Sequence, residues 1–188
     1  MKTIGVLALQ GAIHEHISII KKMGHHALPI KHPEDLKTLD GLILPGGEST
    51  TMRHLMKRYH FIQPIKDFAK EKKGIFGTCA GMVLAAKTTL SDEENLNLLD
   101  GMVIRNGFGR QKESFETNLT IPVLGDKPFQ AIFIRAPFLT QLGKNVKVLA
   151  AINEKVVVAH ENNVLVTAFH PELTNDTRLL EYFIENCC

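Results

Sequence analysis

Short, almost unbroken apolar runs alternate along this chain with stretches whose apolar residues recur every three or four positions. The run Thr3–Leu9 reads as a strand covered on both faces, because a parallel strand between two helix layers has no polar face to show. His14–Met23 places Ile17, Ile20 and Met23 at helical spacing, and Gly24 stands where a helix C-terminus favours glycine. Ala27–Ile30 and Leu42–Leu44 are predicted as short strands, the second ending at Pro45-Gly46-Gly47. Thr50–Tyr59 reads as a helix that Ser49 or Thr50 can cap. Ile62–Lys72 reads as another helix, and Ile75–Gly77 as a buried strand leading into Cys79.

The second half is less regular. Val103–Ile104, Asn118–Pro122, Phe129–Ile134, Val146–Ile152, Val156–Glu161 and Val164–Phe169 are predicted strands, and Asp176–Asn186 a closing helix. Asn162-Asn163 between two Val-rich runs suits a tight hairpin, since Asn tolerates positive φ. The sum is an α/β fold in three layers: a mostly parallel central sheet flanked by helices, with a late antiparallel extension. At 188 residues, with no repeat or linker, one domain over 1–188 is expected.

Composition narrows the classes. Apolar content of 44% and charged content of 22% are those of a soluble globular protein. A net charge of +2 without a basic cluster argues against nucleic acid. No apolar run approaches the roughly 18 residues that suggest a membrane span. The first apolar run is broken by Gln10-Gly11 and by His14-Glu15-His16, so it reads as a strand and not as a secretory signal. Three cysteines, two of them adjacent at Cys187-Cys188, make no disulfide framework and imply a cytoplasmic protein with reduced thiols. Nine histidines invite a metal, but His14 and His16 are two apart on a helix, His25-His26 are adjacent, and no His-Glu-x-x-His occurs. No metal and no cofactor are expected. The acidic run Asp92-Glu93-Glu94 reads as a solvated loop.

The chemistry gathers at predicted strand ends, where open α/β sheets form their ligand crevice. Gly77-Thr78-Cys79-Ala80-Gly81 has the form of a nucleophile elbow, in which flanking glycines let backbones approach a strained central residue. Alone, the pattern fits a buried cysteine in a turn equally well. His170-Pro171-Glu172 adds what a thiol nucleophile needs, a proton acceptor and a carboxylate to orient it. On an extended backbone residues two apart project to the same side, so Glu172 is expected to reach the His170 ring. Pro45-Gly46-Gly47-Glu48-Ser49-Thr50-Thr51 can present backbone N–H groups to an oxyanion, with the Ala80 N–H as second donor. A phosphate nest at the same turn is the competing reading, but no Gly-Lys-Ser/Thr follows to make a P-loop.

A thiol elbow, a Gly-Gly loop and a late His-x-Glu together resemble the class I, or triad, glutamine amidotransferases, which implies a flavodoxin-like fold. More narrowly, several segments resemble the glutaminase subunit of the two-component pyridoxal 5'-phosphate synthase. They are Leu7-Ala8-Leu9-Gln10-Gly11-Ala12, the Pro45–Thr51 and Gly77–Gly81 segments, Arg105-Asn106-Gly107-Phe108-Gly109-Arg110-Gln111, Phe133-Ile134-Arg135-Ala136-Pro137 and Phe169-His170-Pro171-Glu172-Leu173. The likeness runs almost end to end, and small departures such as Gly107 touch nothing catalytic.

The resemblance implies a role for each matched residue. Cys79 attacks the side-chain amide of L-glutamine to give a glutamyl thioester and ammonia, His170 moves the protons, and Glu172 orients His170. Gly47 and Ala80 are the implied oxyanion donors; Gly47, Glu48, Ser49, Arg105, Ile134 and Arg135 are the implied glutamine contacts. Glu48 and the arginines offer charges opposite to the ammonium and carboxylate of a free amino acid. Ammonia near neutral pH is mostly ammonium, which is no nucleophile. The implied partner is therefore a synthase subunit of (β/α)8-barrel type in a large hetero-oligomer, with Gln10 as a candidate contact. A thiol peptidase on a similar scaffold and a non-enzymatic anion-binding module stay open as rivals; neither needs Glu48, Arg105 and Arg135 together.

Overall fold

Strands and helices alternate in the computed structural model, which describes residues 1–88, 94–109 and 113–188. The first half runs β1 (Thr3–Leu7), α1 (Ile13–Lys22), β2 (His26–Ile30), β3 (Gly41–Leu44), α2 (Ser49–Arg58), α3 (Ile62–Lys70), β4 (Gly74–Thr78) and α4 (Ala80–Ala85). The second half runs β5 (Met102–Ile104), β6 (Ser114–Leu119), β7 (Phe129–Ile134), β8 (Phe138–Thr140), β9 (Lys147–Ile152), β10 (Lys155–Glu161), β11 (Val164–Thr167) and α5 (Arg178–Asn186).

Strand order in the main sheet is β2-β1-β3-β4-β11-β10-β8-β5, with β9 paired to β10. The pairs from β2 through β11 are parallel; those beyond β11 are antiparallel. β3, β4 and β11 are buried at every position, as strands between two covering layers must be. This is the α/β fold with a mostly parallel sheet and a late antiparallel part. No helix among the described residues is long and apolar enough to cross a membrane.

The first half follows its apolar pattern closely. Gly24 adopts φ +80 just past α1, and Asn162 turns the β10–β11 hairpin at φ 54. Two expectations fail in this part of the fold, and two elements were not foreseen. The strand placed at Asn118–Pro122 lies at Ser114–Leu119, because pairing with β7 runs back from Leu119↔Phe129 to Ser114↔Ile134. Pro122, without an N–H, opens a 3-10 turn instead. Neither Ser49 nor Thr50 caps α2; Glu48 does, accepting from the N–H groups of Thr50 and Thr51. Finally, β8 and the 3-10 turn Pro33–Thr38 were not expected at all. The ends of two segments, Asp92-Glu93 and Arg110-Gln111, lie outside the described residues.

The small β6–β7 sheet braces the main one through aromatic packing. Phe115 stacks on Phe133 at 4.6 Å, and Phe133 and Phe129 pack against Phe169, the residue before His170. The His170 N–H donates to Ile132 O at 2.9 Å. His170 is thus held from the strand that also carries Ile134.

Candidate active site

Four parallel strands end at one place. The loops leaving β1, β3, β4 and β11 bring Gln10, Gly47, Cys79 and His170 to a single pocket of about 360 Å³. Glu48, Ser49, Ala80, Arg105, Ile134 and Arg135 also line it. Of the residues singled out in the sequence only Glu172 is absent from the lining, since it lies behind His170 with its side chain fully buried.

Cys79 stands between β4 and α4 with φ 49 and ψ −102, a conformation that L-residues rarely adopt. The following turn doubles back so tightly that a Cβ on Gly81 would collide with the carbonyl of Leu44. That crowding explains the glycine two residues after Cys79. Cys79 N donates to Thr167 O at 2.8 Å, tying the elbow to β11. Its Sγ lies 3.8 Å from Ile134 O. On the other side, Gly46 approaches the His170 ring so closely that a Cβ there would meet Cε1. Only glycine lets the loop after β3 come so near His170.

His170 lines the pocket beside Cys79 and, through Nδ1, hydrogen-bonds Glu172 Oε1 at 2.8 Å. The expected contact is present, but its route differs. Pro171–Leu173 forms a 3-10 turn, which swings Glu172 under the ring where an extended chain was expected. Burial depresses the imidazole pKa; interaction with Cys79 and the hydrogen bond and charge of Glu172 outweigh it and raise it to about 10. Near neutral pH His170 therefore carries the proton. Burial also opposes the Glu172 charge, yet the His170 hydrogen bond and the nearby histidines keep its pKa below the usual value.

Glu48 is placed differently. Its side chain is 51% exposed, and it accepts from the Thr50 N–H at 3.0 Å and from the N–H and hydroxyl of Thr51, both at 2.7 Å. The Thr51 hydroxyl leads in holding its pKa down at about 2. Arg105 stands 3.6 Å from Glu48 and donates to Thr50 Oγ1 at 3.3 Å. Gln10 accepts from the Glu48 N–H at 2.9 Å and so pins the Gly47-Glu48 turn from the β1 side. Lys155 fixes the loop after β5 by donating to Gly107 O at 2.6 Å and lying over Phe108 at 4.8 Å.

Val83, Asn106 and Pro137 also line the pocket and were not singled out. Asn106 and Pro137 stand inside segments that carried a resemblance, so adjacency was the available signal. A second omission is His16, the buried histidine of α1. Polar spacing alone gives it no meaning; only the folded chain brings it to Glu172.

The arrangement suits acyl transfer: a cysteine in a strained turn, an imidazole in the same pocket, a buried carboxylate bonded to that imidazole, and the backbones of Gly47 and Ala80 in the pocket lining. Comparison with known proteins agrees. The model of the SNO glutamine amidotransferase family matches residues 6–188. The chain is 60% identical to pyridoxal 5'-phosphate synthase subunit PdxT of Listeria innocua serovar 6a over 185 residues, covering 98% of both proteins. It is 52% identical to the protein of that name from Bacillus velezensis over 186 residues, covering 98% of this chain and 94% of the other. Among solved structures, a glutamine amidotransferase superposes with a TM-score of 0.92 at 40% identity, covering 98% of each chain.

Proposed function

The chain belongs to the SNO glutamine amidotransferase family, and from that premise we propose that it is the glutaminase subunit of a pyridoxal 5'-phosphate synthase, acting through Cys79, His170 and Glu172. The observation that carries the assignment is the meeting of Cys79 and His170, with Glu172 hydrogen-bonded behind the imidazole, at a pocket sized for a small amino acid.

L-glutamine enters with its side-chain amide over Cys79, whose thiol proton has passed to His170, so that the sulfur adds to the carbonyl carbon as thiolate. The developing oxyanion is held by the N–H groups of Gly47 and Ala80. His170, already protonated, gives its proton to the departing nitrogen, and ammonia leaves as the C–N bond breaks. A glutamyl thioester remains. The neutral imidazole then takes a proton from water, whose oxygen attacks the thioester; the C–S bond breaks, glutamate leaves and the thiolate–imidazolium pair is restored. Glu172 keeps His170 oriented and stabilises its charge throughout. Arg105 and Arg135 supply cationic groups for the substrate carboxylate, and Glu48 and Ser49 supply a carboxylate and a hydroxyl for its ammonium.

The ammonia passes to a synthase subunit, proposed to be a (β/α)8 barrel in a large hetero-oligomer, with Gln10 at the contact. One domain over 1–188 carries the activity. Glutamate release from L-glutamine, measured while purified synthase subunit is titrated in, tests the reading. Release that rises with partner and saturates is the expected result. No release at any partner ratio would remove it.

A further inference from the structure

One buried histidine takes no part in the triad chemistry. His16 sits on the inner face of α1, 1% exposed. Its Nε2 lies 3.3 Å from Thr78 Oγ1 and 3.5 Å from Glu172 Oε2. Thr78 is the residue immediately before the nucleophile. One imidazole therefore stands between the strand end that aims Cys79 and the carboxylate that orients His170.

Glu172 needs such a neighbour. Its Oε1 is taken by His170 at 2.8 Å. Its Oε2 is fully buried and makes no hydrogen bond of good geometry among the described residues. The cavity beside it measures about 10 Å³ and is lined by His16, Ile19, Phe76, Pro171, Asp176 and Leu180. That is room for about one water, so bulk solvent does not stabilise the charge. A buried carboxylate oxygen without a donor is costly.

The tautomer follows from the neighbours. A proton on Nε2 points donor density at both oxygens; a lone pair there would face a carboxylate and be repelled. We propose that His16, neutral and protonated on Nε2, is a positioning residue of the triad, bridging Thr78 Oγ1 and Glu172 Oε2 so that Glu172 keeps its charge and holds His170 in register. This rests on the glutaminase reading above.

The charges around the ring agree. Burial lowers the His16 pKa most; Glu172 and Glu15 oppose it, and the charge on His170 adds to the lowering. Asp176, across the cavity, is paired with Arg178 at 2.6 Å and exerts little pull. The imidazole stays neutral near pH 7 and acts as a donor, not as a counter-ion.

The test is the glutaminase rate of the complex with its synthase partner, for the native chain, His16→Leu and His16→Gln, from pH 5 to 9. Active sites are counted by stoichiometric labelling of Cys79 with a chloroketone analogue of glutamine, so that misfolded chains drop out. The expected result is a fall in kcat per labelled site of roughly tenfold in His16→Leu, the size of one lost hydrogen bond to a charge. KM for glutamine should stay near native, and the acid limb of the profile should move to higher pH as Glu172 becomes easier to protonate. His16→Gln, which keeps an N–H at that place, should recover most of the rate. Native kcat and an unmoved acid limb in His16→Leu, or a glutamine variant no better than leucine, would overturn the proposal. An inactive native chain would instead count against the glutaminase reading itself.

Discussion

The site holds two glutamates whose pKa values both lie below the usual carboxylate range, for opposite reasons. Glu48 is half exposed and is held near 2 by hydrogen bonds from Thr51 and Thr50 at the start of α2. Water can take over most of those bonds if they break. Glu172 has a fully buried side chain and keeps its charge against desolvation through the His170 hydrogen bond and the neighbouring histidines. Nothing from solvent replaces them. A depressed pKa thus marks local helix capping in one case and catalytic architecture in the other, and burial tells the two apart.

The largest contrast is expected from the amide variants. Glu172→Gln keeps the shape but removes the charge beside His170, and kcat should fall about a thousandfold or more, as in other triads that lose their carboxylate. Glu48→Gln should leave kcat within a few-fold and raise KM for glutamine, since the group borders the pocket without touching the triad. Steady-state rates for both variants check the pair. A large kcat loss in Glu48→Gln would erase the distinction.

A second contrast lies in the titration of His170. Its folded pKa, about 10, stands above the ordinary 6.5, so the imidazolium is present below that value and is lost as pH rises through about 10. Glu172 is shifted the other way: its charge is present above the ordinary 4.5 and lost as pH falls through a lower value. Ring resonances of His170 followed by NMR should show a midpoint that drops toward 6.5 in Glu172→Gln. Glu48→Gln should leave it in place.

The smallest effect is on stability. Glu48→Ala removes the N-cap of α2 and should cost about 1 kcal/mol in urea denaturation, with an unchanged denaturant slope.

The same contrast explains what the sequence could reveal. Runs such as Leu42–Leu44 and Ile75–Gly77 are buried on both faces, so apolar continuity alone located β3, β4 and the loops that follow them. Cys79, His170, Glu172 and the Gly-Gly turn were legible because each needs a local residue pattern. Ser114–Leu119 was misplaced because its exposed, polar alternation, Glu116 and Asn118 among it, carries little apolar signal. β8 is three residues long behind Pro137, too short for periodicity to register. The capping role of Glu48 was missed because Ser and Thr follow it directly and are the commoner caps. His16 was unreadable for a different reason: its partners Thr78 and Glu172 lie 62 and 156 positions away, and only the parallel sheet brings them together.

Cys79 carries the central claim, and its removal addresses that claim most directly. Glutamate release by Cys79→Ala should be undetectable in the presence of saturating synthase subunit, while the variant remains folded and still binds that partner. Turnover retained in Cys79→Ala would contradict the assignment of Cys79 as the nucleophile.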